Sequence, residues 1–291
     1  MQKRGLSRRE LISSASVTAL ALCLRDEARA EQGQSAALGR RRFTQSVCRW
    51  CYASIPLRDF CQAVAKMGLT AIDLLTPDEW PVAREFGLTC SMASGLGGPI
   101  ERGLNDPANH DTIIATLTAG IPQAVRAGVP NVITFFGNRR GMSDKDAINN
   151  CVTALNRVKG VAEDNGVTIC IELLNSKVNH KDYQGDRTAF GVEVVSAVNS
   201  PRVKLLYDIY HMQIMEGDVI RTIRDNQQWI AHYHTGGVPG RNEIDGGQEL
   251  NYRAIAQAIV DLKYAGYMAH EFVPTRDPLT SLAEAGALCD V

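Results

Sequence analysis

From residue 43 onward the chain alternates two hydrophobic rhythms. Short apolar runs recur at 43–48 (FTQSVC), 71–75 (AIDLL), 88–93 (LTCSMA), 131–137 (NVITFFG), 167–172 (VTICIE), 203–208 (VKLLYD), 229–234 (WIAHYH) and 267–272 (YMAHEF). Their length and flanks predict eight strands. Between them the apolar positions move to three- and four-residue steps, the mark of an amphipathic helix. Leu57, Phe60, Cys61, Val64 and Met67 form one such face, Ile113, Leu117, Ile121 and Ala124 another, and Ile148, Cys151, Leu155 and Val158 a third. Gly68, Gly128, Gly166 and Gly266 each stand just before a new strand and read as helix stops. Strands separated by helical crossovers pair in parallel. Eight such units in about 250 residues point to a single (β/α)8 barrel of the α/β class, spanning 43–291. A doubly wound open sheet is the alternative, but no strand leads into a Gly-rich phosphate loop. The GLGG run at 95–98 reads as a plain loop.

Side chains alternate in direction along a strand. In VTICIE the β-branched Val167, Ile169 and Ile171 face the helices, which turns Thr168, Cys170 and Glu172 inward. The same alternation turns Leu206 and Asp208, His232 and His234, and Ala269 and Glu271 inward on the next three strands. The last inward residue of each is acidic or imidazole: Glu172, Asp208, His234 and Glu271. The pattern therefore predicts three carboxylates and one histidine in one ring at the C-terminal mouth, where barrel active sites are built. Three carboxylates converging without a cation would repel one another and shift each other's protonation. A divalent ion removes that conflict, and an oxygen-rich set with one imidazole suits Mn²⁺, Mg²⁺ or Co²⁺, with Zn²⁺ also compatible.

The first 30 residues have a different character. Arg8 and Arg9 precede a short apolar stretch around Ala15–Leu22, and Ala28-Arg29-Ala30 offers a cleavage site. This is the pattern of a Tat-type signal peptide over 1–30, followed by a flexible lead-in over 31–42. It predicts passage through the Tat machinery to the periplasm or the medium, with no stable membrane insertion of the mature chain, because the apolar run is too short to span a bilayer. Were the signal reading wrong, the protein would be cytoplasmic. Cleavage removes six basic and three acidic residues, leaving 25 against 29 and a balance of −4. No basic surface recruits nucleic acid. Seven scattered cysteines remain, which is not a disulfide framework. Cys48 and Cys51 form a lone C-x-x-C, read as two cysteines packed at a strand end.

IELLN (171–175), YDIYHMQIMEGD (207–218), HTGGVPGR (234–241), ELNY (249–252) and HEF (270–272) resemble the hydroxypyruvate isomerase family, one of the xylose isomerase-like barrels and a relative of the tagatose/psicose 3-epimerases. The resemblance implies that Glu172, Asp208, His234 and Glu271 bind a divalent metal, that Glu172 and Glu271 also carry protons, and that His211 and Arg241 hold substrate oxygens. It implies an isomerase for a small sugar or hydroxy-keto acid working through an enediolate, or a ketose 3-epimerase. Two rivals share the fold: an endonuclease IV-like metal hydrolase, which wants more histidines and a basic face, and a non-catalytic sugar-binding barrel, which needs no proton-transfer pair. The oligomeric state stays open. His232, one layer below the ring, reads as an interior histidine with its polar atoms satisfied, and His270 as outward-facing. Trp50 and Tyr210 are candidate pocket walls. His110 and His180 receive no role.

Overall fold

A computed structural model describes residues 43–291. The signal peptide and lead-in read from residues 1–42 lie outside the described residues. The strands are β1 (Thr44–Cys48), β2 (Ala71–Asp73), β3 (Thr89–Cys90), β4 (Ala93–Gly97), β5 (Asn131–Phe135), β6 (Thr168–Glu172), β7 (Val203–Asp208), β8 (Ile230–Thr235) and β9 (Tyr267–His270). All are parallel, in the order β3-β2-β1-β9-β8-β7-β6-β5-β4. β3 and β4 are two pieces of one strand position: β3 pairs with β2, and β4 pairs with β5. A bridge between Leu75 and Ala93 and the Ser94 N–H donated to Leu75 O at 3.0 Å bring the two edges together. The eight-unit barrel expected from the sequence is therefore present, with its third strand interrupted.

The interruption corrects two expectations. LTCSMA does not form one strand over 88–93, and GLGG is not a plain loop, because Gly95, Leu96 and Gly97 belong to β4. A side chain at Gly97 would collide with the Ile133 carbonyl, so glycine is what lets β4 lie this close to β5. Of the expected helix stops, Gly128 and Gly166 end α3 (His110–Ala127) and α4 (Asp144–Asn165) in the left-handed conformation glycine favours. Gly266 does something else: a Cβ there would strike the Tyr264 ring.

Alternation along the strands sorts the core into two parts. Ile169, Ile171, Leu205, Tyr207, Tyr233 and Met268 join the large layer between sheet and helices. Met92, Ile133, Cys170 and Leu206 form a small separate cluster inside the barrel. The inward assignment of Cys170 and Leu206 holds. The helices α1 (Leu57–Lys66), α2 (Trp80–Glu85), α3, α4, α5 (Thr188–Val198), α6 (Ile209–Met215), α7 (Val219–Asn226), α8 (Tyr252–Asp261) and α9 (Pro278–Cys289) occupy the crossovers. Among the described residues no helix is long and apolar enough to cross a membrane.

Candidate metal centre and active site

Glu172 closes β6, Asp208 closes β7, His234 lies near the end of β8, and Glu271 follows β9. The register sets Asp208 beside His234, and His234 beside Ala269. Each of the four residues offers one ligand atom, and these atoms all lie within 4.8 Å of one another. The four residues read from the strand pattern therefore meet in one place, all of them buried.

The D-x-x-H spacing at 208–211 has a local cause. Asp208 is the N-cap of α6, and its Oδ1 accepts the His211 backbone N–H at 3.0 Å. One carboxylate oxygen is committed to the helix, which leaves Oδ2 facing the ring. The His211 ring is locked from the other side: Nδ1 accepts the Asn175 backbone N–H at 3.1 Å and lies 2.7 Å from Asn175 Nδ2. A neutral imidazole with an accepting Nδ1 carries its proton on Nε2. That Nε2 is buried without a hydrogen-bond partner, 3.6 Å from Asp208 Oδ2. Burial, reinforced by Arg241, holds His211 well below the usual imidazole range, so it stays neutral with a donor to offer.

Arg241, in the segment after β8, bridges the ring. Its Nη2 lies 3.3 Å from Asp208 Oδ2 and bonds Glu271 Oε2 at 2.5 Å. The guanidinium is stacked between the rings of Trp50 and Tyr210, at 5.2 Å and 5.3 Å. Trp50 also donates Nε1–H to Glu271 Oε1 at 2.6 Å. Both aromatic residues considered as pocket walls thus hold the arginine and, for Trp50, a ring carboxylate.

Burial pushes Asp208 up to about 8, with Glu271 adding to the rise and Arg241 opposing it. Glu172 is raised as well, again by burial first. Burial would also raise Glu271, but Arg241 and His234 outweigh it and hold this carboxyl well below its ordinary value. His234 is opposed by burial, yet the Glu271 charge, followed by Cys48 and Asp73, carries it well above the usual imidazole range. Among four groups in contact, the environments pull in opposite directions.

The donor set fits a divalent cation. His234 Nδ1 stands 2.9 Å from Glu271 Oε2 and 3.2 Å from Glu172 Oε1, and neither contact has hydrogen-bond geometry. Glu172 Oε1 and His234 Nδ1 are both buried without a hydrogen-bond partner. Buried polar atoms are almost always paired. Two orphaned donor atoms converging with two further carboxylates have the chemistry and placement of metal ligands.

A cavity of about 360 Å³ opens beside the ring. Its lining combines apolar side chains, Leu74, Ile100, Ile133, Phe135 and Leu174, with Glu172, Glu271, Arg241 and His180. His180 had no expected role, since no periodic pattern marks a loop residue, but it lines the cavity with its ring 5.3 Å from that of His211. Asp73 at the end of β2 was also missed. It is fully buried, and its Oδ2 lies 2.9 Å from His234 Nε2. His232 is interior, as expected, but not well satisfied: Nε2 is 3.2 Å from Asp73 Oδ1 without hydrogen-bond geometry, and Nδ1 has no partner. His270 is buried on the helix side of its strand, as expected, between Gln45 Oε1, at 2.8 Å, and Thr235 Oγ1, at 3.2 Å. Cys48 and Cys51 are both free thiols.

A closed parallel barrel with acids and an imidazole at its C-terminal mouth defines a class of enzyme fold. The match to family sequences makes the assignment: residues 61–288 fit the Xylose isomerase-like TIM barrel family, and the chain belongs to it. A human protein named as a hydroxypyruvate isomerase is 26% identical over 237 residues, covering 76% of this chain and 86% of that one. Two solved structures share the fold. The AP endonuclease, family 2 from Brucella melitensis superimposes with a TM-score of 0.74 at 20% identity, over 85% of this chain and 98% of that one. The D-psicose 3-epimerase from Clostridium cellulolyticum H10, solved with D-tagatose, gives a TM-score of 0.67 at 20% identity, over 85% and 94%. Within the family this chain is an enzyme of the isomerase class.

Proposed function

We propose that the protein is a metal-dependent isomerase for a small sugar or hydroxy-keto acid, working through an enediolate with Glu172 and Glu271 as acid and base. The observation that carries this reading is the ring itself: four buried ligand atoms within 4.8 Å beside a cavity large enough for a small polyol. Glu172, Asp208, His234 and Glu271 would hold the ion. A divalent cation there, Mn²⁺, Mg²⁺, Co²⁺ or Zn²⁺, would stabilise the negative charge that develops on oxygen when a carbon next to a carbonyl loses its proton.

The remaining chemistry falls to the protein. Glu172 and Glu271 reach the cavity from different strands, so one can remove the proton while the other returns it to the neighbouring carbon or the opposite face. His211 offers its Nε2–H, and Arg241 its unpaired Nε–H, to substrate oxygens. The apolar side chains in the cavity lining limit water at the reacting carbon.

A second reading, a ketose 3-epimerase, gains support from Arg241. Among the described residues lining the cavity it is the one Lys or Arg, and two ring carboxylates already engage it. A substrate carboxylate would meet no uncommitted side-chain cation, whereas an uncharged ketose needs none. The same shortage weighs against a phosphodiester substrate of the endonuclease type. The twin arginines and the Ala28–Ala30 site support a periplasmic or secreted location.

The test is proton exchange. Ketoses and hydroxy-keto acids are incubated in D₂O with protein and each metal in turn, and the protons next to the carbonyl are followed by NMR. Metal-dependent loss of one proton signal, with a new isomer, is expected. A fully metal-loaded protein that exchanges no proton on any of them would leave a binding barrel instead of an enzyme.

A further inference from the structure

Below the ring, on the far side of His234, lies a carboxylate outside the proposed ligand set. Asp73 comes from β2, across the barrel from β8, and is fully buried. Its two oxygens are divided. Oδ1 accepts the Ser91 hydroxyl in a short hydrogen bond and lies 3.2 Å from His232 Nε2. Oδ2 meets His234 Nε2 at 2.9 Å and the Cys48 thiol at 3.6 Å.

A histidine can ligate a metal only through a nitrogen that carries no proton. His234 has acceptors on both faces: Asp73 on the Nε2 side, and Glu172 and Glu271 on the Nδ1 side. With no acceptor below, the ring proton would be drawn to Nδ1 by the two glutamates, and the nitrogen facing the ring could not ligate. An ionised carboxylate accepts and never donates, so Asp73 requires the proton on Nε2. We propose that Asp73 is the positioning residue of this site: with a divalent ion in the ring it keeps the His234 proton on Nε2, 2.9 Å from its own Oδ2, and leaves Nδ1, on the side of Glu172 and Glu271, free to ligate, and thereby sets the metal affinity. Carboxylates behind metal-bound histidines act in this way generally. The inference rests on the ring being the metal site.

The first experiment uses the wild-type protein loaded with diamagnetic Zn²⁺ and labelled with ¹⁵N at histidine. Long-range ¹H–¹⁵N correlation reports which ring nitrogen is protonated, and His234 is assigned by its disappearance in His234→Gln. Coordination through Nδ1 with a proton on Nε2 is expected. Coordination through Nε2 would overturn the proposal. The second experiment measures Mn²⁺ affinity of Asp73→Asn by competition with a metal-binding dye, which needs no substrate. Asn keeps the shape but places a neutral amide under the ring, and Mn²⁺ should bind about 10- to 100-fold more weakly. A folded Asp73→Asn protein binding Mn²⁺ within about twofold of wild type would also overturn it. Should that variant not fold, the wild-type spectrum decides alone. A wild-type protein that binds neither ion fails the ring reading and takes this one with it.

Discussion

Asp208 bonds the backbone of His211 with one carboxylate oxygen and faces its ring with the other. Oδ1 of Asp208 caps α6 on the His211 N–H at 3.0 Å, while His211 Nε2 lies 3.6 Å from the other carboxylate oxygen. A single aspartate thus ends a strand, starts a helix and faces the ring, and the histidine is carried into the site by the helix that the aspartate begins. The two functions of Asp208 can be separated. Asn caps a helix about as well as Asp, whereas Ala does not. Asp208→Asn should lose divalent-metal occupancy yet retain the melting temperature of the metal-free protein. Asp208→Ala should lose the metal and about 1 kcal/mol besides. Metal analysis and thermal melts of the two variants with chelator check this, and equal occupancy in all three proteins would remove Asp208 from the ligand set.

Glu172→Gln and Glu271→Gln keep an oxygen for the metal but cannot take a proton near neutral pH. Each should lower turnover at least about a hundredfold, the usual scale for lost general acid–base catalysis. The fold should survive, because neither side chain belongs to the packed interior cluster of Met92, Ile133, Cys170 and Leu206. The two variants should also differ: one should still exchange a substrate proton with D₂O without completing the reaction. Ordinary turnover in both would assign the chemistry to other groups.

The pH dependence of stability should reverse with metal. In the metal-free protein Asp208 titrates at about 8, against an ordinary value of 3.8, and Glu172 and His234 are raised too. Raised groups hold protons in the fold that the unfolded chain releases, so their stabilisation is present at low pH and lost as pH rises through the folded value. Between about pH 4 and 8 the metal-free melting temperature should therefore contain a falling contribution from Asp208, whereas that of His234 falls only above the ordinary imidazole range. Metal ligation needs the deprotonated ligands. The increase in melting temperature on adding Mn²⁺ should grow over the same interval. Paired melting curves with chelator and with Mn²⁺ measure this, and an increment independent of pH would count against ligation by these groups.

Export is tested by replacing Arg8 and Arg9 with lysine in the full chain and fractionating cells. The precursor is expected to stay in the cytoplasm, and undiminished periplasmic recovery would refute a Tat signal.

Much of the site was legible because strand direction is a local property. A period of two, read from the β-branched residues of each strand, was enough to turn Glu172, Asp208, His234 and Glu271 inward without knowledge of any neighbour. The same local rule predicted that Cys170 and Leu206 pack inside the barrel. Contacts between distant segments carried no such signal. Asp73 sits in a three-residue strand, and the histidine it supports lies 161 positions further along the chain. Arg241 meets Asp208 and Glu271 across separations of 33 and 30 residues, from a segment without regular periodicity. The break between β3 and β4 also escaped the pattern, because it depends on how closely the Gly97 backbone can approach the Ile133 carbonyl. Sequence periodicity determined which way each side chain points, since that follows from the backbone geometry of its own strand. Barrel closure decided which side chains meet, and with that the protonation of His234, the pairing of Arg241 and the polar support beneath the ring.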